Sequence, residues 1–227
     1  MTSCVKKLSR EGKNAMLNNK LGQVTIFIII SLVIVGLVVL FFVFRGSFFG
    51  GNIPAELAPV YELYEQCISE ETTNGIKLLE SQGGRIDVGD IASGNDFNPF
   101  SSHLNFLGFF IPYWYGVSGS NTITNNIPST SDIERELADF IAGRVNDCDF
   151  SQFSTRGFFI EMDNPLVSAV VEDEQVIVSV NAPLSVYFNE QSARRTSHEV
   201  AVASKLGALY KSASEIYTAE KDLVFLE

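Results

Sequence analysis

Few side chains in this chain are of a type and spacing that could do chemistry. Its two histidines are His103 and His198, and neither falls in a metal-binding pattern such as HExxH. His198 lies in TSHEV beside Glu199, and neighbours in a strand point to opposite faces, so the two make a poor dyad. Both histidines are expected to be solvated surface side chains. Serines and acids are plentiful, yet no GxSxG elbow supports a Ser–His–Asp triad. Two histidines and two cysteines that can bond each other leave little for a closed zinc site. Asp87, Asp90, Asp96 and Asn98 offer oxygen ligands to a calcium ion, but not at EF-hand spacing. Glu172, Asp173 and Glu174 read as a solvated turn. Gly83-Gly84 reads as a helix stop, because no GK[ST] follows to make a phosphate cradle. The expectation is a protein that is not an enzyme, with no catalytic, cofactor-binding or metal-ligating residue assigned.

The elements that would carry any site begin with an uncharged run from Val24 to Phe44, VTIFIIISLVIVGLVVLFFVF. As a helix it would be about 31 Å long, the thickness of a bilayer's hydrocarbon core. Before it stand Lys6, Lys7, Arg10, Lys13 and Lys20 against Glu11, and after it Arg45 alone. Basic flanks stay cytoplasmic, so the N-terminus is expected inside and residues 46–227 outside. The run is longer than a cleavable signal's apolar region and is followed by Arg-Gly-Ser-Phe-Phe, which favours a permanent anchor. The organisation expected is a cytoplasmic basic segment (1–22), a transmembrane helix (23–45), a short Gly-rich spacer (46–54) and an extracellular α+β domain (55–227), an antiparallel sheet with packed helices.

Charge divides along the same line. Residues 1–45 hold six basic residues and one acid, or +5, whereas residues 46–227 hold ten basic and 26 acidic residues, or −16. Such an exterior repels nucleic acid and anionic headgroups, so no nucleic-acid partner is expected. Cys4 falls inside; Cys67 and Cys148 fall outside, where oxidation favours a bond between them, the alternative being two buried free thiols.

Within the exterior, a helix is expected from near Ala55 or Pro59, with Val60, Leu63, Tyr64, Cys67 and Ile68 on one face and a possible break at Gly75. RIDVGDI alternates like a short strand. The stretch LNFLGFFIPYWYGV (104–117) is the aromatic peak; packing in the core is the expectation, and an exposed contact surface at Tyr113, Trp114 and Tyr115 is the functional alternative. Residues 118–131 read as an exposed polar loop. Ser131 or Asp132 would cap a helix whose inner face is Ile133, Leu137, Phe140, Ile141 and Val145. LVSAVV and VIVSV around Glu172–Gln175 form the clearest hairpin, extended by 184–188, with a further strand at 199–203. An amphipathic helix follows, with Leu206, Leu209, Tyr210, Ala213, Ile216 and Tyr217 as its apolar positions.

KLGQVTIFIII, YEQCISEETTNGIKLLESQGGRI, EDEQVIVSVNAPLSV and SKLGALYKSASEI together resemble single-pass membrane-anchored surface proteins of small-genome, DPANN-type archaea. The resemblance implies an outward α+β domain and brings no established activity. The opening also resembles an archaeal type IV pilin leader, with Gly22-Gln23 as the processing site, though Phe27 stands where many pilins place a glutamate. Three functions are therefore expected in turn. The first is a non-catalytic surface protein held in the lipid bilayer through Val24 to Phe44 and contacting an unknown protein or surface. The second is a self-assembling pilin-like subunit processed before Gln23. The third is an anchored extracellular hydrolase.

Overall fold

The computed structural model describes residues 28–36, 53–92, 101–117 and 122–223. The chain divides into two units, Met1–Asn52 and Ile53–Glu227. In the first, residues 28–36 are helical (α1), with exposed apolar side chains from Ile28 to Val35. Among the described residues no helix is long and apolar enough to cross a membrane; the expected span extends on both sides of α1 into residues outside those described.

The second unit is an α+β domain. Helix α2 (Ala58–Ser81) starts with a proline in its first turn, where a missing N–H costs nothing. It presents Val60, Tyr61, Tyr64, Ile68, Ile76 and Leu79 as a buried stripe. It runs unbroken through Gly75, whose role is close approach: a Cβ there would lie 2.5 Å from Leu137 of the neighbouring helix. The helix ends at Gly83 and Gly84, both at positive φ, as a glycine stop requires. Helix α3 (Thr130–Arg144) is capped by Ser129, two residues ahead of the earliest expected cap. Ser129 and Asp132 form a capping box, and the Ser129 hydrogen bonds hold the Asp132 carboxyl below its usual range. Ile133, Leu137, Ile141 and Val145 are buried, as the periodicity indicates.

Both helices cover one face of a four-stranded antiparallel sheet formed by β5 (Phe159–Met162), β6 (Leu166–Val171), β7 (Gln175–Phe188) and β8 (Gln191–Ala203). The central strand β7 alternates strictly. Val176, Val178, Val180, Ala182, Leu184 and Val186 are fully buried, while the residues between them are not. One side of β7 pairs with β8 along its length. The other side pairs first with β6 and then with β5. The β6–β7 hairpin matches the sequence pattern. β8 is longer than the alternating stretch 199–203, and β5 and the short helix α4 (Ser151–Ser154) carry no sequence signal strong enough to announce them.

Cys67 of α2 and Cys148, just beyond α3, are joined by a disulfide with Cα atoms 6.1 Å apart. It closes a sequence separation of 81 residues. Cross-linking so long a loop stabilises by about 4–5 kcal/mol in the chain-entropy account.

Two sequence expectations fail nearby. RIDVGDI is not a strand: the backbone N–H groups of Ile86 and Asp87 donate to the Glu136 carboxylate, at 2.7 and 3.2 Å, and Arg85 pairs with the same group at 2.8 Å. The polar stretch 118–131 is not all loop, because Ile123–Asn125 (β4) pairs with Tyr115–Val117 (β3).

Candidate functional site

The aromatic stretch does not fill the core. Strands β1 (His103–Phe106) and β2 (Phe109–Pro112) pair antiparallel, separate from the main sheet, with Phe106 opposite Phe109. The connection is therefore the two residues Leu107 and Gly108, at φ 52° and 87°. A two-residue turn with both central residues in the left-handed region matches the twist of a hairpin. Glycine meets that demand freely. Leucine does not, because its Cβ crowds the following carbonyl at a cost of about 1–2 kcal/mol.

Leu107 is also 83 % exposed, and Leu104, Phe106 and Phe109 beside it are exposed as well. The hairpin base is tied down. Ile111 lies against Gly83 at the end of α2, and the Trp114 indole N–H donates to the Gly83 carbonyl at 2.9 Å. A packed base and a bare apolar tip follow from one segment whose hydrophobic residues outnumber the core positions available to it.

The three aromatics singled out by sequence separate. Tyr113 and Tyr115 are exposed. Trp114 is half-buried and makes edge contacts with Tyr210 and Tyr217 of helix α5 (Leu206–Leu223), so it ties this segment to α5. α5 is thereby turned from its expected orientation. Of its apolar positions only Leu206 is buried, and Leu209 and Ile216 face outward. Tyr210 bonds the Pro128 carbonyl and Tyr217 the Asn125 side chain. Between α5, the start of α3 and the β6–β7 turn lies a cleft of about 750 Å³, where Lys211 pairs with Asp173 at 3.1 Å.

The histidines also divide, and His198 corrects the expectation of solvated side chains. It is fully buried under α2, with its ring edge-on to Tyr64 at 4.8 Å and stacked with Tyr61 at 6.2 Å. Neither ring nitrogen makes a well-aligned hydrogen bond, although the backbone of Arg195 and Ala182 lies close enough to interact weakly with the ring. Burial, and then the nearby Arg195 guanidinium, push its pKa down to about 4, against a weaker opposing pull from the backbone of Arg195 and Ala182. The Tyr64 hydroxyl is buried without a partner and is pushed up to about 12 by the same desolvation. Burial raises the Tyr61 pKa as well, against an opposing pull from the Arg195 guanidinium, but its hydroxyl has a partner and donates to the Ala193 carbonyl at 2.9 Å.

His103 lies beside Phe110, with Nδ1 at 3.3 Å from Ser102 Oγ. That hydroxyl also accepts the Ala92 N–H at 2.9 Å and serves to pin the loop. The structure thus separates the two histidines: His103 meets the Ser102 hydroxyl, whereas His198 meets the rings of Tyr61 and Tyr64. Asp87 Oδ1 accepts the Gly89 N–H, while Asp96 and Asn98 lie outside the described residues. Among the described residues no group of three His, Cys, Asp or Glu is placed to hold a metal ion. Gly22 and Gln23 also lie outside them. Comparison with family models, with curated proteins and with solved structures finds no match.

Proposed function

We propose that the chain is a non-catalytic, membrane-anchored cell-surface protein that presents its acidic α+β domain outside the cell. The β1–β2 tip is its contact with a partner protein. Leu107 carries this reading. It occupies a turn position where glycine or asparagine would cost less, and it buries almost nothing within the domain. A strained, exposed, apolar side chain flanked by Phe106 and Phe109 does little for the fold, so its free energy is recovered in contact with something else. The acidic body disfavours anionic headgroups, so a protein surface suits the tip better than a bilayer. The basic flank and the apolar run Val24 to Phe44 support the anchor and its orientation.

Two measurements on intact cells test this. External protease should release fragments of residues 53–227; full protection would overturn the exterior assignment. A photo-cross-linking residue at position 107 should give a discrete protein adduct that the same residue at exposed Glu172 does not. Adducts to lipid alone, or none, would remove the tip as the contact.

A pilin-like subunit is the second reading, favoured by Gly22-Gln23 directly ahead of the apolar run. A mature N-terminus at Gln23 by intact mass would move the assignment there. A start at Met1 or Thr2 would retain the permanent anchor.

A further inference from the structure

The two edges of the main sheet differ. One is split between the short strands β5 and β6, and the Val171 N–H of β6 donates to the Glu134 carboxylate at 2.9 Å. The other is β8, 13 residues long, which pairs with β7 and with no further strand among the described residues. A long strand that pairs with a strand on one side only is a template for another, although its Ala193 and Ser197 carbonyls already accept from the Tyr61 hydroxyl at 2.9 Å and from Arg195 Nε at 3.1 Å.

The face pattern of β8 selects which strand. Ala193, Arg195, His198, Val200 and Val202 turn toward the core, whereas Arg194, Thr196, Ser197, Glu199 and Ala201 are exposed. Two adjacent residues, Thr196 and Ser197, are thus both outward, beside the register shift between Asn181 and Leu184 of β7. The pattern reads the same in both directions about the 196–197 peptide bond. Directly opposed residues of an antiparallel pair must share a face. β8 meets that condition against a second β8 when Ala193 opposes Val200, Arg194 opposes Glu199, Arg195 opposes His198, and Thr196 opposes Ser197. A dyad on Thr196 itself would set inward Arg195 against outward Ser197.

The charges agree with this register. Arg194 and Glu199 would meet twice across the axis, both on the solvent face. Within one chain each is lightly engaged: Arg194 lies 4.0 Å from Asp163, and Glu199 accepts the Ser179 hydroxyl at 3.3 Å. Arg195 stays with Glu65 at 2.7 Å. Arg194-Arg195 is also the only adjacent basic pair in residues 46–227, so local attraction is sited where the acidic bodies would otherwise repel.

We infer that two copies of this chain pair antiparallel through β8, about a two-fold axis at the Thr196–Ser197 bond, joining their sheets into one. This does not depend on the β1–β2 tip. Sedimentation velocity of the full chain in detergent, over a concentration series, tests it with R194E, E199R and the double variant R194E/E199R. Both changed positions are exposed, and far-UV circular dichroism of the three variants checks folding. The wild type should dimerise, each single change should raise the dissociation constant about tenfold, and the double swap should restore it to within about threefold. A wild type that stays monomeric, a dimer indifferent to both single changes (as one held by the apolar run Val24 to Phe44 would be), or a double swap as weak as the singles would each overturn the inference.

Discussion

The layer made by α2, α3 and the main sheet and the rim made by β1–β4 and α5 are held by different means. The layer buries whole faces: alternate side chains of β7 and the inner stripes of both helices are inaccessible to water, and a disulfide clamps α2 to the end of α3. The rim is held at points. Trp114 touches Tyr210, Tyr217 and the Gly83 carbonyl, and Gly207 lets α5 approach the Glu172 carbonyl so closely that a Cβ would sit 2.4 Å away. The buried faces therefore lie in the layer, while exposed apolar side chains occur in both regions, at Phe159, Leu166 and Val170 of the sheet as well as at the β1–β2 tip. A tip that contributes nothing to the core can hold side chains that a core would not tolerate in the open.

Removing the clamp should have the largest effect. Cys67→Ser with Cys148→Ser should cost about 4–5 kcal/mol, read as a lower urea midpoint, and should weaken layer and rim together.

Acid should attack the layer next, through His198. The folded state holds it neutral, with a pKa of about 4 against 6.5 when unfolded. The unfolded chain thus binds the extra proton as pH falls below about 6.5. Stability is full above that value and is lost progressively down to about pH 4, by at most about 3 kcal/mol. Urea titrations across this range should show the loss, and His198→Phe should remove that part of it.

Trp114→Ala should separate the regions. A loss of about 2 kcal/mol confined to the rim would speed amide exchange in α5 and β1–β4 roughly 30-fold while leaving β7 unchanged. Equal acceleration in β7 would show that the rim is part of the cooperative core.

The smallest effect should have the opposite sign. Leu107→Asn should stabilise the domain by about 0.5–1 kcal/mol, because asparagine tolerates the left-handed region, while abolishing the contact assigned to the tip. Stabilisation measured by urea together with unchanged partner cross-linking from position 106 would separate Leu107's strain from recognition.

In α2, α3 and the β6–β7 hairpin a single period governed the segment and the sequence by itself determined the outcome, whereas the alternation of RIDVGDI did not make a strand. The helical stripes of α2 and α3, the β6–β7 hairpin around its acidic turn and the glycine stop at Gly83-Gly84 are local patterns that need no distant partner to be read. The Cys67–Cys148 pair was legible as a possibility, because the two thiols were expected on the same side of a bilayer. What tertiary structure alone decided was which apolar residues found a place inside. A histidine in a polar stretch is buried because β8 slides beneath Tyr61 and Tyr64, and no local signal in TSHEV encodes that contact. The hairpin LNFLGFF is bare because α2, α3 and β7 already fill the core. α5 buries Leu206 but turns Leu209 and Ile216 outward, while Trp114 engages its tyrosines Tyr210 and Tyr217. Burial is a competition for limited interior volume, and its result depends on every element at once.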